Sequence, residues 1–564
     1  MLLSNRFAIL STLVLFIVAL GAQPIAAQDG FDLPVPREAT LVIEDTATPI
    51  SIFDSFNPRI PSGNWNPNGY RQIGQEYLFY ANFATGEIVP WLATGYAYND
   101  DFTEMTLTLR DGVTWNDGEA FNADDILYTV NTILELEALS GARANQIRSA
   151  TTSVSAPDDL TVVFTLNSPT PRFHYELITI VDGFTIWPEH VWVNEDPLTF
   201  QNNPPLSTAP YVLTDALTEQ RAFIWERNDA WWGAAEFGLP APQYVVYRNS
   251  SDSVDVGFEL YLSGAVDRAN SVNWQQMQIA QQQGDQYTYT IDVDPCPRNV
   301  YFNNARYPFT ITEVRQAINL IMPRDLVANV IWQPPSEPAL HPWNNWELTA
   351  QYLFDDILAE YDWSQNLDRA AELLDEAGFT VGDDGIRADA DGNNMSFQII
   401  TNRPVGHEQY QIAQALADEA ANLGINMTVR SLNSGAFWDL VGDADYDMAS
   451  AWLCGAFLDP AAGLYDLDNG DLANAHFESE ELRAAQAQIT ANLPDSEAAM
   501  EGYRQALTVL MREVPTMPVV QTAQLMAWNE TYWTNFPTDD NLYVQPFTWW
   551  GTFYLALQEL EAAQ

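Results

Sequence analysis

An α/β fold is predicted, on three observations. Met395, Phe397 and Ile399 alternate as a half-buried strand does. Ile412, Leu416, Ala420 and Leu423 then fall on one helical stripe closed by Gly424, and Ile425, Met427 and Val429 alternate again. Strand, helix, strand in that order is a βαβ unit. The second observation is Leu109–Val130, LRDGVTWNDGEAFNADDILYTV, where a strand passes through two turns into a helix start. The third is composition. A chain of 564 residues with 47% hydrophobic residues can bury a large core without a disulfide network.

The elements follow in chain order. Met1–Ala27 reads as a secretory signal: Arg6 is the sole charge, Phe7–Leu20 is apolar, and Ile25-Ala26-Ala27 offers a small-residue cleavage site. The apolar run is short for a membrane span, and a retained anchor is the competing reading. No cysteine stands near the cleavage site to carry a lipid. Thr40–Ile43 is strand-like, and Phe56–Pro67 is a polar, aromatic loop too rich in Pro, Gly and Asn for a helix or central strand.

Thr106–Leu109 alternates polar and apolar residues, so a strand leads into the opening segment. Asp111-Gly112 and Asp117-Gly118 are turn dipeptides, where glycine accepts positive φ. Asn122 is placed to cap a helix, with the Asp125 carboxylate in its first turn against the positive end of the dipole. Short strands and turns continue to Trp187-Pro-Glu-His190. Val314, Ile318 and Ile321 predict one buried helix face. Leu367–Ala377 predicts a helix stopped by Gly378. Asp389-Ala-Asp-Gly392 is read as a hairpin turn; Asn394 and Met395 do not continue a calcium-loop pattern, and no distal Glu is placed to finish it.

Charge and residue counts exclude several functions. The net charge is −53, and the cationic side chains are all Arg. Such a surface repels nucleic acid and anionic membranes. The plain reading is a solvating acidic shell. The sharper one is adaptation to high salt, which predicts a melting temperature that climbs strongly with NaCl; a flat response in a salt-series thermal melt counts against it. The 5 His and 2 Cys do not cluster, so no metal site or cofactor is expected. Neither a phosphate-binding glycine loop nor a G-x-S-x-G elbow is found. Two carboxylates of a glycosidase pair are available among 76 acidic residues, but chance proximity is expected at that number. Cys296 and Cys454 are either one disulfide, in an oxidising compartment, or two separately buried thiols.

Trp115, Asp117, Gly118, Phe121, Ala123, Asp125 and Ile126 together resemble the signature of family 5 solute-binding proteins of ABC importers. Further landmarks are similar: Trp187-Pro-Glu-His190, Leu206-Ser-Thr-Ala-Pro-Tyr-Val-Leu213, Trp225–Trp232, Leu262–Asp267, Val300–Asn304 and Val314–Ile318. They span nearly the whole mature chain. The resemblance implies a two-lobed, three-domain periplasmic-binding-protein-like α/β fold of class II, cluster C type, with mixed sheets and a hinge. Domain I would comprise 28–72, 205–295 and 543–564, domain II 73–204 and domain III 296–542, with the hinge crossed near Asp294 and Tyr543. It also implies a periplasmic or secreted monomer that closes over a ligand and delivers it to permease subunits, with no covalent chemistry.

Candidate ligand contacts follow from the same resemblance. They are Trp65 and Asn66 in the polar loop, Arg403 in Asn402-Arg403-Pro404, and Trp452, Phe457 and Asp459 in Trp452–Pro460, WLCGAFLDP. Trp274, Trp438 and Trp549 are further aromatic candidates; Trp550 adjoins Trp549, so on a strand only one of the two could face the ligand. Peptide-binding relatives carry an aspartate in the third stretch for the ligand's ammonium, and counting back from Asp459 the matching position here is Ala456. This chain has one residue more between Trp452 and Asp459, which leaves that register open. A buried ammonium without a counter-charge costs several kcal/mol. Aromatic faces with Asn, Asp and Arg suit sugar rings instead. The Ser62–Pro67 loop, SGNWNP, and the aromatic load resemble the branch of the family that binds β-linked oligosaccharides such as cello-oligosaccharides. The resemblance therefore implies a neutral, β-linked gluco-oligosaccharide as ligand, with a peptide the alternative and a secreted polysaccharide hydrolase the alternative of another class.

Overall fold

The computed structural model describes residues 33–44, 52–58, 68–139, 144–179, 183–249, 254–269, 272–294, 296–333, 335–344, 347–452, 460 and 471–563. The expected signal segment, most of the Phe56–Pro67 loop, and Cys454, Phe457 and Asp459 lie outside them. Among the described residues no helix is long and apolar enough to cross a membrane.

Hydrophobic burial divides the chain into two lobes. One core draws on Val300–Val520. Two others draw on residues from Leu41 to Tyr287 and from Met526 to Leu560, and share no buried residue with the first. Lobe 2 is built on a six-stranded sheet in the order Glu337–Pro338, Thr516–Gln521, Arg298–Phe302, Met448–Trp452, Ser396–Thr401 and Asn426–Ser431. Its last three strands are parallel neighbours. The predicted βαβ unit is its edge: the helix Glu408–Ala421 links the parallel strands 396–401 and 426–431 in the register Ser396↔Asn426. Ile412, Leu416 and Ala420 are buried, as the stripe requires.

Lobe 1 is built on a seven-stranded sheet running from Tyr287–Val293 through Ala523–Asn529, Arg268–Ala269, Thr40–Glu44, Tyr244–Arg248 and Ala222–Arg227 to Tyr211–Leu217. A four-stranded antiparallel sheet adds 93–98, 104–109, 161–166 and 151–158. Met105, Leu107 and Leu109 are buried along one face of 104–109. Gly112 and Gly118 take φ of 80° and 98°, the turns expected of them. The helix is Ala123–Glu135, with Asn122 and Asp125 forming a reciprocal capping box.

Asp125 does more than cap. Its carboxylate also accepts from the Trp115 indole at 3.1 Å and from the backbone N–H of Glu189 at 2.8 Å. One acidic side chain thus ties the opening segment to the Trp187–His190 landmark, and His190 in turn meets Asp117 at 2.9 Å.

The lobes are joined by two strands side by side. Tyr287–Val293 pairs antiparallel with Ala523–Asn529 in the first sheet, and Arg298–Phe302 pairs antiparallel with Thr516–Gln521 in the second. Asp294 sits between the two pairings. Its N–H donates to Thr522 O at 2.9 Å, and its carboxylate accepts from Gln524 and Arg298, each at 3.0 Å. The return crossing therefore falls at Thr522 and not near Tyr543. A single residue separates two strands that belong to different sheets, and nothing local in the chain marks that change of partner.

Candidate functional site

The parallel strands of lobe 2 end together beside the hinge. Thr401 pairs with Ser450, and Trp452 stands opposite Arg298, the first residue of the strand entering from the hinge. Strand ends of this kind are where α/β sheets present their ligands. Past its strand, the chain turns at Asn402-Arg403, where the Arg403 carbonyl accepts from Ser431 Oγ at 2.8 Å. That places the Arg403 guanidinium 5.1 Å from the Trp452 ring centroid. Trp438, from the helix Ser434–Gly442, meets Trp452 edge-on at 6.3 Å. Arg298 lies 4.8 Å over the Trp332 ring.

His407 caps the helix 408–421, its Nδ1 accepting from the Gln409 N–H at 3.1 Å. Burial, and next the nearby Arg403 charge, push its pKa down to about 4. The ring is therefore neutral at ordinary pH, as an accepting nitrogen must be. Among the described residues, Arg403 Nε, Asn402 Oδ1, Thr401 Oγ1 and the Gln409 side-chain nitrogen are buried with no hydrogen-bond partner. Buried polar atoms are normally paired, with protein groups or with water, so this group of donors and acceptors at the strand ends can take water or the polar groups of a ligand. Flat aromatic faces beside such groups can hold a ring with hydroxyls on its rim.

Of the predicted contacts, the structure brings Arg403, Trp438 and Trp452 together. It places two elsewhere. Trp274 begins the outer helix Trp274–Gln281 and packs edge-on to Tyr289 at 5.3 Å, on the face of the large sheet that carries the smaller core. Trp549 is half-buried against the main core of lobe 1, with Arg268 5.1 Å over it; Trp550 beside it is buried, and both lie in a turn. Trp65, Asn66, Phe457 and Asp459 lie outside the described residues. Sequence reading did not find Arg298, Trp332 or His407. Arg298 and Trp332 meet across 34 residues of chain with no local sign of it, whereas the partners of His407, Gln409 and Arg403, are close in sequence and the landmark Asn402–Pro404 hinted at it.

Cys296 is disulfide-bonded, and the chain's other cysteine is Cys454. Among the described residues no His, Cys, Asp or Glu group is arranged to hold a metal.

A second polar centre lies within lobe 1. The Glu76 carboxylate accepts from the indoles of Trp91 and Trp232, each at 2.9 Å, and from the Tyr554 hydroxyl at 2.8 Å. Tyr70, Gln75, Ser207 and Thr208 line a small cavity beside it. Its donors come from three distant segments, so Glu76 ties lobe 1 internally.

Residues 87–474 match the family of bacterial extracellular solute-binding proteins, family 5 (middle region). The periplasmic oligopeptide-binding protein OppA of Salmonella typhimurium is 26% identical over 473 residues, 79% of this chain and 82% of that protein. Protein XP55 of Streptomyces lividans is 29% identical over 72% of this chain and 71% of its own length. Among solved structures, the periplasmic oligopeptide-binding protein of Thermotoga maritima has a TM-score of 0.79 at 20% identity, covering 93% of this chain and 100% of that one. A mannohexaose-bound structure of the same protein has a TM-score of 0.76, covering 94% and 99%. The two-lobed fold and the family match together define a solute-binding protein. The chain belongs to the family 5 extracellular solute-binding proteins, and it serves as an extracytoplasmic ligand-binding component of an ABC transporter.

Proposed function

We propose that this protein captures a neutral oligosaccharide of β-linked gluco type between its lobes and, as a monomer, hands it to its permease. The carrying observation is the Arg403 guanidinium stacked on Trp452 with Trp438 edge-on, among buried unpaired polar groups. A sugar ring lays its C–H face on an indole while its hydroxyls take up such groups. The mannohexaose in the Thermotoga maritima relative supports a sugar in this fold. Capture is a hinge closure whose population the ligand shifts by binding the closed form better. Cys296, the Asp294 hinge and the neutral His407 hold the binding surface; none is asked to do covalent chemistry.

The second reading is an oligopeptide, favoured by the names of the Salmonella and Thermotoga relatives. Calorimetry with a cello-oligosaccharide panel and a peptide panel distinguishes them. Heat with the sugars alone is expected; heat with peptides alone defeats the proposal. Trp452→Ala is expected to weaken sugar binding about thirtyfold or more, the size of a binding hot spot. Chromatography of the incubated sugars checks the remaining alternative, since cleavage products belong to a hydrolase.

A further inference from the structure

A second connection between the lobes lies away from the hinge, at Arg172. This residue follows the lobe 1 strand Thr161–Leu166 and is 4% exposed. Its Nε donates to two carbonyls of lobe 2, Ile489 O at 3.1 Å and Asn492 O at 3.2 Å. Its Nη1 donates to the Tyr503 hydroxyl at 3.2 Å, and the guanidinium lies 5.8 Å from the Tyr503 ring centroid. Ile489 is in the last turn of the helix Glu480–Thr490, where unpaired carbonyls and the negative end of the helix dipole favour a cation.

Both ends of this contact are fixed. In lobe 1, Phe173 is buried against Phe164 at 5.2 Å and starts the short helix Phe173–Leu177. In lobe 2, Tyr503 is fully buried and packs on Tyr352 at 4.0 Å. The topology places the contact on the cleft side. The helix Glu497–Glu513 carries the chain away from that end of lobe 2, and the strand Thr516–Gln521 returns it to the hinge. The turn between the helices 480–490 and 497–513 therefore lies toward the same end as Thr401 and Trp452.

We infer that Arg172 is an interlobe latch that favours the closed arrangement before ligand arrives and so sets the affinity for whatever ligand enters. The inference rests on lobe closure and not on the identity of the ligand. Opening the cleft pulls a buried guanidinium off two carbonyls and a hydroxyl and returns all of them to water. Closing it regains charge-assisted bonds, which are stronger than neutral ones. A ligand that binds the closed form has an apparent affinity scaled by the closed fraction. Loss of the latch therefore weakens every ligand by one common factor, whereas loss of a contact residue such as Trp452 changes the ranking of ligands.

Small-angle scattering on the full mature chain, with no ligand added, tests the latch apart from the oligosaccharide proposal. Arg172→Met keeps the apolar stem and removes the donors. It is expected to lower the closed fraction on the order of tenfold and so raise the radius of gyration, with Tyr503→Phe giving a smaller shift in the same direction. A wild-type scattering profile for Arg172→Met overturns the latch. If that variant loses a lobe's cooperative unfolding, Arg172→Lys takes its place with the same two outcomes, because one ammonium on a shorter stem keeps the charge but not the three-acceptor geometry. A calorimetric failure with sugars leaves this result untouched.

Discussion

Replacing Arg324 by methionine is expected to destabilise lobe 2 by about 3–5 kcal/mol, because several buried acceptors lose a charged donor and only partly relax. Arg324 is 2% exposed. It donates to the carbonyls of Ala339 at 2.9 Å, Pro518 at 3.0 Å, Asn319 at 2.9 Å and Trp363 at 3.0 Å, and to the Asn319 side chain. These acceptors belong to the second-sheet edge, the strand 516–521, the helix 312–321 and the loop before the helix 367–376. Methionine fills most of the same volume and leaves each of those carbonyls short of a donor, at about 1–3 kcal/mol apiece before relaxation. Because the lobes have separate cores, chemical denaturation followed by fluorescence and hydrogen exchange is expected to show an earlier transition for lobe 2 with lobe 1 unmoved. A variant as stable as the parent refutes the assignment.

The second large effect concerns pH. Burial pushes the Glu76 carboxyl up to about 7 from its ordinary 4.5, against the hydrogen bonds from Trp91, Thr208, Trp232 and Tyr554 that favour its charged form. The folded state therefore holds a proton that the unfolded state has lost between pH 4.5 and 7. Stability from this group is complete below pH 4.5 and is lost as pH rises through 7, a change of roughly 3 kcal/mol. Glu76→Gln cannot ionise and removes that slope. At pH about 5 it should be the less stable protein, since its amide N–H points at donors that an acid's oxygens accept. By pH about 8 the difference should shrink or reverse. Urea titrations of both proteins across that range give the difference curve, and a flat one excludes Glu76 as the titrating group.

Local signals were legible, and their partners were not. Asn122 and Asp125 announce a helix start because a cap needs only its own turn. Glu189, which also donates to Asp125, lies 64 residues on and carries no local sign of it. The alternation of Met395–Ile399 and Ile425–Val429 fixed two strands, and parallel pairing follows from the helix between them. Thr522 is the opposite case: one residue parts the strands 516–521 and 523–529, and only long-range pairing assigns them to different lobes. The site shows the same limit. Arg403 and Trp452 stand in family landmarks, while Arg298 reaches them by crossing from lobe 1. Trp274 and Trp549 met the residue-type criterion equally well, yet one begins an outer helix and packs on Tyr289 and the other lies under Arg268.

The joint at Asp294 limits the kind of motion available. A single strand between two bodies is free to twist as well as bend. Here two strands run together and are pinned by Asp294 to Thr522, Gln524 and Arg298. Twisting one strand about the other would break those bonds, whereas bending both together spares them. On the proposed closure, the lobes would swing like a door on two pins, along one arc. Each swing would bring the Trp452 face, and the carbonyls of Ile489 and Asn492, back to the same place on lobe 1, so a site shared between two bodies would be as reproducible as one carved in a single body.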